Sequence, residues 1–295
     1  MHFITTSKHS DRSGRTSFEV LPDPDLPDPD SIEALGEWLR RHRPVAVALS
    51  GGVDSAVMAS LAQQFLGQDA VAVTGISPSL SRQEREAAQQ TAQIVGIRHL
   101  EIATDELARP EYRANSGDRC YHCKTELYDV IHDAEALQGY TIVDGSQASD
   151  DVTDRPGMRA SREHDVKSPL RHCGIGKAQV RALARKRGLP SWDRPARPCL
   201  ASRVPVGTEV DEDLLKKVEA LEVVLSGEGF SVYRARCGGS RVVIEIDAQE
   251  LAQHSGTGWR RRLDALCVSL GFSERMLDAR GYGGAGSPVL ESLSR

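Results

Sequence analysis

Residues 44–55 read Pro44-Val45-Ala46-Val47-Ala48-Leu49-Ser50-Gly51-Gly52-Val53-Asp54-Ser55, and the reading of this stretch decides the fold. The first half is an unbroken apolar run of strand length, the pattern of a strand buried on both faces. The second half turns the chain on two glycines, after which residues 56–65 have helical composition with Gly67 as a stop. Strand, glycine turn and helix together form an anion-binding arrangement. Glycine lets the backbone approach a ligand closely, and the unpaired N–H groups of a helix start carry positive potential. Ser50 and Ser55 add hydroxyl donors, and Asp54 is placed to hold a Mg2+ ion that bridges phosphates. A turn that only joined strand to helix would not call for these polar residues.

Outward from this stretch, residues 70–76 (AVAVTGI) form a second buried-type strand, 82–95 a helix, 98–102 a third strand and 140–143 a fourth, which ends in Asp144-Gly145. Strands alternating with helices predict an α/β fold with an open, mostly parallel sheet, whose ligands bind at the carboxyl ends of the strands. Asp144 and Gly145 sit at that edge, where Gly145 would allow a nucleotide close approach. Upstream, order is expected from Ser31, an N-cap with Ile32, Leu35, Trp38 and Leu39 at helical spacing behind it. The tandem LPDPDLPDPD at 21–30 reads as an extended acidic spacer, so residues 1–30 are expected as a flexible tail. Downstream, 178–186 is a basic helix, 192–207 a loop with three prolines and 211–225 a helix. Strands at 231–236 and 241–246 are joined by Cys237-Gly238-Gly239-Ser240, a hairpin signal. Residues 251–271 read as mainly helical, with a last short strand after them. The expected division is a larger α/β domain carrying this loop at 31–204, a smaller α+β domain at 205–280 and a loose glycine-rich tail at 281–295.

The composition agrees with two ordinary globular domains: 295 residues, 39% hydrophobic, 27% charged and a net charge of −5. The near-balance of charge gives no case for nucleic acid or membrane binding. No apolar run approaches the ~20 residues needed to span a bilayer, and the N-terminus lacks the apolar core of a secretory signal. The expected compartment is the cytoplasm, where the six cysteines would be reduced, metal-binding or catalytic.

Three of those cysteines stand out. Cys120-Tyr121-His122-Cys123 is a Cys-x-x-Cys pair, able to chelate a metal or cluster or to cycle as a dithiol. No second pair follows, which disfavours a closed structural zinc site. Cys199, in the loop Arg197-Pro198-Cys199-Leu200-Ala201-Ser202-Arg203, is the natural third ligand. Three thiolates would leave one position open, which in a 4Fe-4S cluster could carry exogenous sulfide. Cys173, Cys237 and Cys267 have no partner pattern and read as small buried hydrophobes. His122 is not needed as a ligand, and His172 and His254 show no metal spacing. Two glycine strings mislead. Gly174-Ile175-Gly176-Lys177-Ala178 lacks the hydroxyl residue of a Walker A loop, and Gly281-Tyr282-Gly283-Gly284-Ala285-Gly286 lacks the preceding strand and following helix of a dinucleotide fingerprint.

The SGGVDS stretch carries the signature of the PP-loop ATP pyrophosphatase superfamily, whose members cleave ATP between the α and β phosphates. Together with DRCYHCK (118–124), DGSQASDDVTDRPGMRAS (144–161), KSPL (167–170) and RPCLASRVPVGT (197–208), it resembles the LarE family from about residue 43 to 280. That resemblance implies ATP- and Mg2+-dependent adenylation of the carboxylates of pyridinium-3,5-biscarboxylic acid mononucleotide, followed by conversion to thiocarboxylates for a nickel-pincer nucleotide cofactor. Cys199 matches the family's catalytic cysteine. With Cys120 and Cys123 present, the chain resembles the branch that holds a 4Fe-4S cluster on three cysteines rather than the one that gives up its own cysteine sulfur. Arg234 and Arg236, on one face of a strand, match a phosphate-binding pair, guanidinium being suited to bidentate phosphate contact. Glu222 and Glu245 match nearby acidic, polar or metal-binding positions. Arg203, four residues after Cys199, could reach the same pocket. Lys177 reads equally as a phosphate contact or a helix-start surface residue, and spacing assigns no role to Arg155 or Arg159. The family also implies a homo-oligomer, trimer or hexamer, served by a sulfide donor. The alternatives are a PP-loop tRNA thiolase, which would need a basic strip the charge does not supply, and a non-catalytic nucleotide- or metal-sensing module. An amidating synthetase is disfavoured, since no ammonia-producing domain is evident.

Overall fold

The structure is a computed structural model that describes residues 6–10, 16–20, 25–150, 156–254, 258–282 and 289–294. In chain order the first part holds β1 (Thr6–Ser10), β2 (Thr16–Val20), α1 (Pro29–Arg41), β3 (Val45–Ala48), α2 (Val53–Leu66), β4 (Ala70–Ile76), α3 (Arg82–Val95) and β5 (Arg98–Ala103). Next come α4 (Pro110–Ala114), α5 (Arg119–Asp133), β6 (Thr141–Val143), α6 (Pro156–Glu163), α7 (Pro169–His172) and α8 (Lys177–Lys186). The last part holds α9 (Glu212–Gly227), β7 (Tyr233–Gly238), β8 (Arg241–Ile246), α10 (Ala248–Gln253), α11 (Gly258–Ser269), β9 (Glu274–Asp278) and β10 (Leu290–Ser292).

β3, β4, β5 and β6 form a parallel four-stranded sheet in the order β5-β4-β3-β6. The α/β fold class and its parallel sheet are therefore as the apolar runs predicted. Val45 and Val47 of β3 pack into one core with α1, α2 and α8, whereas Ala46 packs into another with α5 and Ile142. Both faces of the strand are buried, which is why it reads as a continuous apolar run rather than an alternation. From β3 the chain crosses to β4 on one side and β6 lies on the other, so the order reverses at the carboxyl end of β3. That crevice is the switch point where open α/β sheets bind ligands.

Helix ends follow their local chemistry. Ser81 Oγ accepts the Glu84 N–H at 3.2 Å to open α3, and Gly96 closes it in the left-handed region at φ 73°. α1 opens at Pro29 rather than Ser31, because Asp28 accepts the Asp30 N–H and Pro29 occupies the first turn, where its missing donor costs nothing.

β7 to β10 form a second sheet in the order β10-β9-β8-β7, with β8 and β9 parallel and the other pairs antiparallel. The β7–β8 hairpin turns on Gly239-Ser240 alone, with Gly239 at φ 56°, so β7 runs two residues further than expected. Its core also contains Leu200, Ala201 and Val204, and Tyr112 from the first part of the chain. Two segments expected as tails carry structure. β1 and β2 pair antiparallel within residues 6–20, and β10 pairs with β9 while Leu293 is buried. Residues 21–24 of the tandem repeat lie outside the described residues, as do 283–288. β9 does precede the glycine string that starts at Gly281, contrary to the expectation that no strand would.

Candidate functional site

At the end of β3 the chain makes a compact anion cradle. Ser55 Oγ lies 3.1 Å from Ser50 Oγ, accepts the Ser50 N–H at 3.2 Å and donates to the Gly52 carbonyl at 3.1 Å. The two serines thus hold the loop in shape as well as supplying hydroxyls. Gly51 has φ 81°, and a Cβ there would come within 2.6 Å of the Glu84 carbonyl. Only glycine fits, because the conformation and the space both exclude a side chain. Gly145 also has a packing reason to be glycine. A Cβ on it would lie 2.6 Å from the Ser55 backbone nitrogen, so it admits the start of α2.

Asp54 and Lys177 meet across the loop, with Lys177 Nζ donating to both carboxylate oxygens at 2.8 and 2.7 Å. Lys177, at the start of α8 and partly exposed, is ion-paired at the phosphate loop. Asp144 is buried and accepts from the Ser146 N–H at 3.0 Å, Ser146 Oγ at 2.9 Å and Ser168 Oγ at 2.7 Å. These donors stabilise its charge beside the cavity.

The cavity at this crevice has a volume of about 370 Å3, within the range of small-ligand sites. Ser50, Asp54, Ser55, Asp144 and Gly145 line it, as do Cys123 and Cys199. Tertiary structure has therefore brought the two sulfur motifs to the phosphate loop across 69 and 145 residues of chain, counting from Asp54. Cys123 follows the exposed Cys120 by one turn of α5, and the charges of the three thiols act on one another. Burial raises the pKa of Cys123 and Cys199, and Glu106 adds to the effect at Cys123. Arg119 and Arg203 work in the other direction at Cys199. Tyr112 is buried against both sulfurs and shares a 2.6 Å hydrogen bond with Ser79 Oγ.

Sequence reasoning gave two residues of this wall no role. Lys124, next to Cys123, lines the cavity; burial opposes its charge, but Tyr128 and Asp144 raise its pKa overall. Its only sequence signal was adjacency to the Cys-x-x-Cys pair. Glu106 is buried, accepts from Ser77 Oγ at 2.5 Å and Thr104 Oγ1 at 3.2 Å, and had no signal at all. Among the described residues no three His, Cys, Asp or Glu side chains converge to hold a single metal ion.

A protein of Lactiplantibacillus plantarum, pyridinium-3,5-bisthiocarboxylic acid mononucleotide synthase, is 31% identical over 240 residues, covering 81% of this chain and 86% of its own. The chain belongs to the LarE family. An uncharacterized Synechocystis protein is 40% identical over 85% of this chain and 94% of its own length. A family model described as asparagine synthase matches residues 32–116, and argininosuccinate synthase of Halobacterium salinarum is 32% identical over half of this chain and 40% of its own. The family-model match lies in the PP-loop half of the chain.

In this LarE family member the second sheet departs from several expectations. Arg203 is 3% exposed and bidentate to Glu222, Nε to Oε1 at 2.7 Å and NH2 to Oε2 at 3.0 Å. It also donates to the carbonyls of Pro198 at 2.5 Å and Cys199 at 3.2 Å, while Glu222 accepts the Ala235 N–H at 3.2 Å. The pair satisfies itself and ties the Cys199 loop to α9 and β7. Arg236 donates to Glu245 at 2.5 Å, which likewise uses that carboxylate as an arginine partner rather than a metal ligand. Arg234 lies over the Tyr282 ring at 4.6 Å, and burial lowers its pKa. Its guanidinium edge retains hydrogen-bonding capacity. Arg159 stacks on Tyr121 at 4.0 Å, His122 Nε2 lies 3.2 Å from Asp118 Oδ2, and Arg155 falls outside the described residues. Cys237 and Cys267 are buried in the second core and Cys173 packs against the first.

Proposed function

We propose that the chain is an ATP-dependent sulfur transferase that adenylates the carboxylates of pyridinium-3,5-biscarboxylic acid mononucleotide and replaces the activated oxygen with sulfur. The observation that carries this reading is the shared cavity, lined by the phosphate loop and by Cys123 and Cys199. A substrate carboxylate lying between them would attack the α-phosphorus, forming a C–O–P bond as the α–β bridge breaks and pyrophosphate leaves. The loop N–H groups, Ser50, Ser55 and Lys177 then face the charge that grows on the phosphates. Lys177 is held on Asp54. A Mg2+ ion taken by Asp54 would free that ammonium for the phosphate chain. Arg234 supplies a cation for the substrate phosphate.

Cys123 and Cys199 line one cavity, Cys120 lies one turn of α5 before Cys123, and the charges of the three thiols act on one another. Cysteine thiolates are the ligands that hold iron–sulfur clusters. We therefore assign Cys120, Cys123 and Cys199 as ligands of a 4Fe-4S cluster, which when bound would supply an iron without a protein ligand for sulfide. The chain's own contribution is to half-bury Cys123 and Cys199, to admit solvent at Cys120 and to exclude it around Tyr112.

The test is an anaerobic reaction of iron- and sulfide-reconstituted protein with ATP, Mg2+ and the mononucleotide. Pyrophosphate release accompanied by product in which oxygen is exchanged for sulfur is expected over repeated turnovers. Pyrophosphate without sulfur incorporation would refute the transferase. A single turnover that converts Cys199 to dehydroalanine would refute the cluster assignment.

A further inference from the structure

The two sulfur-bearing segments are joined by one side chain that has no part in the chemistry above. Asn115 is 1% exposed and closes α4 in the left-handed region, at φ 51°. Asparagine tolerates that conformation better than most residues that carry a side chain. Its amide nitrogen donates to the carbonyls of Pro205 at 2.8 Å and Thr208 at 3.0 Å, and its Oδ1 accepts from Arg119 NH1 at 2.5 Å. The amide thereby uses both of its N–H donors and its acceptor. The backbone repeats the connection, with Gly207 N–H donating to the Asn115 carbonyl at 3.0 Å and Val210 N–H to the Arg113 carbonyl at 2.9 Å. Arg119 immediately precedes Cys120, and the stretch from Pro205 to Thr208 continues the chain from the Cys199 loop. One buried amide therefore holds the start of α5 and the end of that loop together.

α5 needs an anchor where its thiols are. Its fully buried side chains, Tyr128 and Ile131, both lie in its C-terminal half. Residues 119–127 contribute none, and the N-cap Asp118 makes no side-chain capping hydrogen bond. The core thus fixes chiefly the far end of the helix, and the turn from Cys120 to Cys123 depends on contacts made at its start. The Cys199 loop is fixed separately, by the Leu200 N–H donating to the Ser79 carbonyl at 2.9 Å. Cys123 and Cys199 line the same cavity and pack in part against the same core. We propose that Asn115 is a positioning residue for sulfur transfer, a clasp that sets the Cys120–Cys123 turn against Cys199. Without it the two segments can drift apart, while the phosphate loop, which shares none of these hydrogen bonds, keeps its shape. The proposal deepens the sulfur-transfer reading and rests on it for its purpose, but the placement of the thiols is tested without it.

In the reduced, metal-free protein, dibromobimane joins neighbouring thiols, and peptide mass spectrometry counts Cys199 joined to Cys120 or Cys123. Asn115→Gly keeps the left-handed backbone and removes the amide. The wild type should give this cross-link and Asn115→Gly about tenfold less of it, the factor carried by about one or two net hydrogen bonds. An equal yield from the two overturns the proposal, as does a wild type that gives none. Leu215→Ala, which opens a cavity in the second core, is a variant destabilised elsewhere. If it loses the cross-link as far as Asn115→Gly does, Asn115 serves only the fold and the proposal fails. Should Asn115→Gly not fold by thermal melting, Arg119→Met, which cuts the clasp at its α5 end alone, takes its place with the same loss expected. In the reconstituted enzyme, Asn115→Gly should form about tenfold less thiocarboxylate per pyrophosphate released, at unchanged KM for ATP. A smaller folded fraction would lower both products together, so an unchanged ratio overturns the role in sulfur transfer. Absence of pyrophosphate release from the wild type would instead count against the proposed function, and the cross-link result would stand apart from it.

Discussion

The Arg203–Glu222 pair separates the reading from sequence, in which these residues serve a ligand, from the structure, in which they serve the fold. Replacing Arg203 with Met keeps much of the apolar stem and removes the charge. The Glu222 side chain, 11% exposed, then keeps a carboxylate with only the Ala235 N–H to answer it. Breaking a buried ion pair from one side costs about 3–5 kcal/mol, and the carbonyls of Pro198 and Cys199 lose donors as well. Glu222→Gln keeps an acceptor for Ala235 and should cost less, about 2–3 kcal/mol, since the arginine charge is what stays uncompensated. The double variant Arg203→Met/Glu222→Leu removes both charges and leaves mainly the Ala235 N–H unpaired, for about 1–3 kcal/mol. The assay is urea unfolding of the four proteins as a double-mutant cycle, where the Arg203→Met change should move the midpoint on the order of 1 M. The double variant should be more stable than Arg203→Met alone. If Arg203→Met instead stays within about 1 kcal/mol of wild type and loses turnover with unchanged folding, the pair is a ligand site and the structural argument fails.

Three further outcomes are expected. Gly145→Ala should destabilise by about 1–3 kcal/mol and weaken ATP binding together, because its Cβ would press on the Ser55 backbone; calorimetric ATP titration and a thermal melt check both, and a variant that binds ATP normally counts against that packing. Asp54→Asn should abolish the Mg2+ dependence of ATP binding, and Lys177→Met should weaken it about tenfold while sparing the Mg2+ dependence; equal behaviour of the two would contradict separate roles. Hydrogen bonds from Arg280 hold the buried Asp278 carboxyl below its usual range. A depressed acid contributes stability above its unfolded pKa of about 3.9 and loses it as pH falls through the folded value. Asp278→Asn should therefore be less stable than wild type at neutral pH, with the gap closing below about pH 4 in pH-dependent melts; a gap that stayed constant with pH would be the contrary result.

The parallel sheet was legible because β3 and β4 are apolar on both faces, a pattern few other environments produce. The weaker elements were not. α5 carries both Cys-x-x-Cys thiols, but its hydrophobic residues are scattered around a half-buried cylinder, so no clean helical stripe marks it. β10 was hidden in a glycine-rich segment, since an edge strand needs only one partner to form and Leu293 alone anchors it to the core.

For the site, the sequence by itself determined the phosphate loop and the identity of the three cysteines. Those features depend on residue type and on neighbours within a turn or two. That Gly145 also serves packing was decided only by tertiary structure. So was the fate of each charge. Arg203 and Glu222 find each other across 19 residues, and Lys177 finds Asp54 across 123. A motif can state that an arginine is present, but whether its donors are free depends on every chain segment that folds around it.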